Sequence, residues 1–155
     1  MTITLAQRLL TRYVAMSSPI LIDTAGWASL FVRSEPYHVR AQTLFNDWRK
    51  QDVPLITTNY ILAELIALFT SPLRVPRARQ IQYIDTIKAT VYISVIHIDV
   101  DLDAAAWALL KSRHDKNWSL VDATSFVVMS NRGINAALTT DQHFEQAGFT
   151  RLLTS

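Results

Sequence analysis

Short stretches that are apolar throughout alternate along this chain with longer segments in which apolar residues return every three or four positions. The apolar stretches are PILI at 19–22, LIT at 55–57, VYISVIHI at 91–98 and AALT at 136–139. A strand apolar on both faces is one covered on both faces, as in a parallel sheet between two helical layers. The periodic segments fall at 38–50, 59–71, 78–90, 102–114, 120–131 and 142–147, and they read as helices. Pro36, Pro54, Pro72 and Pro76 all sit at segment edges, where helices and strands stop. Strands spaced by helices predict an α/β domain of three layers with a parallel sheet in the middle.

The first residues follow a different rule. Leu5, Leu9 and Tyr13 recur every four positions, with Leu10 and Val14 beside them, which predicts an amphipathic helix. Two placements fit it: against the domain's own sheet edge, or as an arm on a partner chain. The organisation expected is therefore an N-terminal helical extension over 1–18 and one domain over 19–155, with no linker, repeat or low-complexity tract between.

Composition narrows the chemistry. The chain has 155 residues, 50% of them hydrophobic, enough for one sizeable core. Having no cysteine excludes thiolate nucleophiles, Cys-held zinc or iron–sulfur sites, and disulfides. Three widely spaced glycines (Gly26, Gly133, Gly148) exclude the glycine-rich phosphate loops, and the four histidines lack the HExxH spacing of zinc hydrolases. No apolar run reaches the roughly 18 residues of a membrane span, and Arg8 and Arg12 interrupt the N-terminal apolar stretch as no secretory signal would. A cytoplasmic protein is expected. The net charge of +2 is small, and although arginine's planar fork suits phosphate contacts, the arginine-rich composition alone is only a slight pointer to a nucleic-acid partner.

The placement of acidic residues is more informative. Asp23 is the only charge between Arg12 and Arg33, Glu64 between Asp52 and Arg74, Asp122 between Lys116 and Arg132, and Asp141 between Arg132 and Glu145. None has a Lys or Arg three or four positions away, so no local ion pair offsets the cost of drawing them into apolar surroundings. Asp23 follows the first strand and Asp141 the last, at the strand ends where open parallel sheets bind ligands. Glu64 and Asp122 lie on helices able to lean over the same edge. Four converging carboxylates repel one another unless a cation lies among them, and all-oxygen ligands suit Mg²⁺ or Mn²⁺. Each acid also has a purely structural reading: Asp23 and Asp141 as helix N-caps, Glu64 and Asp122, mid-helix and without a cap to make, as buried partners of a distant arginine. Asp99, Asp101 and Asp103 resemble the opening of a calcium loop, but Ala104 and Leu110 occupy its glycine and glutamate positions, so helix capping is expected there.

These residues together resemble the PIN-domain nucleases, and in particular the VapC-type toxins of bacterial toxin–antitoxin pairs. ILIDTAGWASLF resembles the family's first motif and places Asp23. TTNYILAELIALF places Glu64, WSLVDATSFVVM places Asp122, and LTTDQHFEQAGF places Asp141. The resemblance runs over about 19–153 and leaves the N-terminal extension outside it. It implies a five-stranded parallel sheet, Mg²⁺- or Mn²⁺-dependent cleavage of RNA to 5′-phosphate and 3′-hydroxyl ends, a homodimer, and a small antitoxin that reaches into the acidic groove.

On that reading Asp23 and Asp122 hold one metal ion, with Glu64 and Asp141 nearby or on a second. Thr24, Ser119 and Thr140 adjoin or lie close to three of the acids and either orient water or phosphate or bond locally to the backbone. Asn59 either lines the groove or, the better fit, caps the helix of Glu64. Arg74, Arg77 and Arg79 form a basic cluster that either grips RNA or simply faces solvent. Trp27, Trp48, Trp107 and Trp118 are expected in the core, with Trp118, just before Asp122, as the candidate base-stacking surface. A non-cleaving binding module is the alternative, although such modules usually lack one of the acids. A phospho-accepting receiver domain is set aside, because Ile22 rather than a second acid precedes Asp23.

Overall fold

The computed structural model describes residues 2–14 and 18–155. The core is a five-stranded, wholly parallel sheet in the order β3-β2-β1-β4-β5, built from β1 (Ile20–Ile22), β2 (Leu55–Thr58), β3 (Ile93–Ile96), β4 (Ala136–Leu138) and β5 (Thr150–Arg151). The helices between them are α2 (Thr24–Phe31) and α3 (His38–Lys50), α4 (Asn59–Thr70) and α5 (Arg77–Ala89), α6 (Val100–Ser112) and α7 (Leu120–Arg132), and α8 (Gln142–Gln146). The three-layer α/β reading holds, and so does the five-stranded sheet that the resemblance implied.

β1 lies between β2 and β4, pairing Leu21 with Ile56 on one side and Ala137 on the other. The chain thus leaves β1 towards β2 and β3, then returns past β1 to form β4. A crevice opens at such a reversal of strand order, at the carboxyl ends of the strands. Leu21, Ile22, Leu55, Ala137 and Leu138 are buried, as strands covered on both faces require.

Two elements went unread in the sequence. All of α2 from Thr24 to Ser29 except Ala25 is buried, so it has no polar face and hence no visible period. The two residues of β5 are too few to carry a pattern. The N-terminal helix does form, as α1 (Leu5–Val14). Its described side chains are exposed, with Leu5 at 75% and Leu9 at 58%, so they do not pack on the sheet edge. The side chains of Leu10, Tyr13 and Val14, used by the same periodicity, lie outside the described set.

The tryptophans divide. Trp27, Trp48 and Trp118 are buried, whereas Trp107 is 55% exposed on α6, against expectation. Trp118 is no stacking platform: its ring packs edge-on to Phe126 and its Nε1 donates to Gln146 Oε1.

Candidate metal and nucleic-acid site

Each of the four isolated acids is delivered by local structure. Asp23 ends β1 and caps α2, its Oδ1 accepting the Gly26 N–H at 2.9 Å. Asp141 caps α8 in the same way, through the His143 N–H at 2.9 Å. Capping and cleft duty therefore coexist in both aspartates. Asp122 corrects an expectation: it is not mid-helix but in the first turn of α7. Ser119 caps that helix by accepting the Asp122 N–H, and Asp122 Oδ2 accepts the Ser119 N–H in return, both at 3.0 Å. Glu64 lies in the second turn of α4, where the Thr24 hydroxyl donates to its Oε1 at 2.6 Å.

All four acids, with Thr24 and Thr140, line one open cleft of about 490 Å³. Thr139, fully buried, supports Asp23 from beneath, donating its hydroxyl to Asp23 Oδ2 at 2.6 Å. His143 stands behind two of these acids, with Nδ1 at 2.9 Å from Asp122 Oδ2 and 3.5 Å from Asp141 Oδ1. Atoms of Asp122, Asp141 and His143 lie mutually within 4.8 Å. Thr139 and His143 were not singled out by the sequence reading. Both sit in TTDQHF, and the Asp-x-His spacing at a helix start was the available signal.

Packing seats Asp23 closely. The first turn of α2 runs so near the end of β4 that a Cβ at Gly26 would stand 2.1 Å from the Leu138 carbonyl oxygen. The Trp27 indole donates to Thr57 Oγ1, and that hydroxyl donates to the Ile22 carbonyl, tying α2 to both β2 and β1.

Charge is concentrated without compensation. Among the described residues, no lysine or arginine forms an ion pair with any of the four acids, which removes the distant-arginine reading of Glu64 and Asp122. Burial raises the pKa of Asp23 to about 7; repulsion from Asp141 and Glu64 adds to this, and hydrogen bonds from Thr139 and Gly26 oppose it. Burial also raises Glu64, with the charges of Asp122 and Asp141 contributing. Glu64 Oε2, Asp122 Oδ1 and Asp141 Oδ2 accept no hydrogen bond from the described residues. An oxygen-rich donor set with unused lone pairs and unbalanced negative charge fits a hard divalent cation.

The remaining candidates separate. Ser119 acts through the backbone of α7 as its cap. Thr140 lines the cleft, and its carbonyl accepts from Arg151. Asn59 neither lines the cleft nor caps α4: Thr58 is the cap, accepting the Ile61 N–H, and Asn59 Oδ1 accepts the Ile98 N–H beyond β3. The basic cluster is also rearranged. Arg77 is bonded to the buried Gln80, while Arg74 and Arg79 join Arg33 around a second cleft of about 340 Å³. Asp99 caps α6, as the failed calcium-loop pattern implied.

The PIN domain family model matches residues 20–150. The 23S rRNA-specific endonuclease VapC20 of Mycobacterium tuberculosis is 32% identical over 133 residues, covering 86% of this chain and 97% of the relative. The crystal structure of that VapC20, described as a sarcin-ricin loop cleaving toxin, superposes with a TM-score of 0.75 at 30% identity, covering 84% of this chain and 96% of the other. FitAcB from Neisseria gonorrhoeae, at 16% identity and a TM-score of 0.57 over 85% of this chain and 95% of that one, shares the fold.

Proposed function

Because the chain belongs to the PIN domain family, we propose that it is a metal-dependent endoribonuclease of the toxin type, acting through Asp23, Glu64, Asp122 and Asp141. The observation that carries this is the convergence of four carboxylates, unpaired by any lysine or arginine among the described residues, on one cleft at the strand-order reversal. A module that binds without cleaving has no observation in its favour.

Asp23 and Asp122 would hold a Mg²⁺ or Mn²⁺ ion, with Glu64 and Asp141 beside it. A divalent ion so held supplies charge neutralisation at the scissile phosphate and lowers the pKa of water at its surface. The protein's own contribution is to fix the donors. Thr139 and Gly26 hold Asp23 from two directions, and Thr24 holds Glu64. Asp23 keeps a proton near neutrality without a cation, so cation binding displaces that proton.

Arg33, Arg74 and Arg79 extend the cleft into a track for the RNA backbone. From its N-cap Asp23, α2 runs to Phe31 beside those arginines, about 12 Å at 1.5 Å per residue. Among the described residues none of the three has an acidic partner, so their guanidinium groups are free for phosphates. Arg77 is spent on Gln80 and is left out of the track. Replacing Arg74 and Arg79 by Ala should weaken RNA binding and flatten its dependence on salt, by about one unit of log–log slope for each phosphate no longer neutralised.

The relative's named substrate makes 23S rRNA the first RNA to try. Purified protein with Mn²⁺ or Mg²⁺ should cut it, chelation should stop cleavage, and Asp122→Asn should abolish it in a folded protein. Intact RNA under all conditions would overturn the reading. A cytoplasmic nuclease of this kind needs restraint, and the proposed restraint is a small antitoxin presenting an arginine to the four carboxylates, which a guanidinium pairs bidentately. A homodimer is proposed with it.

A further inference from the structure

We propose that His143 is a positioning residue of the acidic cleft, donating its Nδ1–H to Asp122 Oδ2 and thereby reserving Asp122 Oδ1 for the cation. The inference rests on the reading of the cleft as a divalent-cation site. Its basis is the different treatment of the two oxygens of Asp122. Oδ2 is held from two sides, by the Ser119 N–H at 3.0 Å and by His143 Nδ1 at 2.9 Å, whereas Oδ1 has no partner among the described residues. An oxygen already accepting a backbone N–H is in its acceptor role, so the nitrogen at 2.9 Å carries the hydrogen. The other oxygen facing Nδ1, Asp141 Oδ1, stands at 3.5 Å and accepts the backbone N–H of His143 itself.

This arrangement does what a cap alone cannot. The capping box of α7 fixes Asp122 against its own helix, and its geometry does not depend on α8. His143 connects that carboxylate to α8, and α8 also carries Asp141 as its N-cap. The separation of the two aspartates is thus set by one imidazole between them. Phe126 and Phe144 join the same two helices, and Trp118, just before the α7 cap, bonds to Gln146 of α8, so the imidazole rests on a packed support. Carboxylates that hold a metal ion are themselves commonly held by hydrogen bonds, and losing such a partner typically costs about 10–100-fold in metal affinity or activity.

The test is Mn²⁺ binding to the full chain, measured by electron paramagnetic resonance, for wild type, His143→Ala and His143→Asn. Asparagine places an amide donor near the position of Nδ1, whereas alanine places none. Alanine should weaken Mn²⁺ binding by about 10–100-fold. Asparagine should recover most of that loss, and both variants should keep the wild-type melting temperature without metal. In cleavage assays at limiting Mn²⁺, alanine should lower kcat and leave KM for RNA unchanged, with excess Mn²⁺ restoring kcat. Wild-type affinity in His143→Ala, or an asparagine variant that is folded yet no better than alanine, would overturn the proposal. So would a directly bonded histidine nitrogen in spin-echo spectra of Mn²⁺ on protein labelled with ¹⁵N-histidine, since His143 would then be a ligand itself. Wild-type protein that binds no Mn²⁺ would instead sink the cation-site reading from which the inference starts.

Discussion

A buried carboxylate that keeps its proton to about pH 7 makes folding sensitive to pH in a definite direction. Asp23 in the unfolded chain releases its proton near 3.8, and in the folded protein near 7, chiefly because of burial. Between those values the unfolded chain binds fewer protons than the folded one, so stability falls as pH rises and levels off above 7. At about 1.4 kcal/mol per pH unit the loss is at most about 4 kcal/mol. Melting curves in chelator from about pH 4 to 8 should show it, and Asp23→Asn should remove most of it. That variant should melt no lower than wild type at about pH 7.5, because the Thr139 hydroxyl can reverse to accept from the new amide. It should also cut no RNA. Mn²⁺ should raise the wild-type melting temperature, more at about pH 8 than at about pH 6, since the cation competes with the proton for Asp23. A variant that unfolds would make Asp23 a structural acid.

Helix α2 bears on β4 through a single missing side chain. Gly26 stands where a Cβ would meet the Leu138 carbonyl at 2.1 Å, backbone against backbone, with no flexible atom to give way. Gly26→Ala should therefore destabilise the protein, by about 1–3 kcal/mol, even though alanine is the better helix former. Lifting α2 off β4 would also draw Asp23 away from Thr139, so cleavage should fall by more than stability alone explains. A lower midpoint in urea together with lost cleavage would bear this out; an alanine variant as stable as wild type would not. The same helix shows where element-level reading fails. With only Ala25 of its first six residues not buried, α2 has no polar stripe to betray its period.

At the scale of the molecule, activity and extension should separate. Growth of a bacterium expressing this chain alone should arrest, and the same host expressing Asp23→Asn at matched soluble level should grow. Equal growth of both would remove support for the toxin role in that host. The N-terminal helix should be dispensable to the domain, because its described side chains are exposed and the family match begins at residue 20. A chain starting at Pro19 should melt as the full chain does and still cleave RNA.

Strand runs, helix periods and isolated charges are local properties, and the sequence was sufficient for them. It determined α3 at 38–50, the termini of most other helices to within about two residues, and the four acids that lack a neighbouring base. It also carried the family motifs, in order. Convergence is not local. Asp23 and Thr139 meet across a separation of 116 positions because the strand order places β1 beside β4. Nothing in either segment alone specifies that neighbour. The same holds for the arginines, where packing turned Arg77 towards Gln80 and brought Arg33 to Arg74 and Arg79. It holds for His143, which reaches Asp122 only once α8 has settled against α7. Apolar patterning decides which elements form, because burial is a property of each residue. Only the packed structure decided which polar atoms share a cleft, because hydrogen bonds and charges depend on their partners' positions.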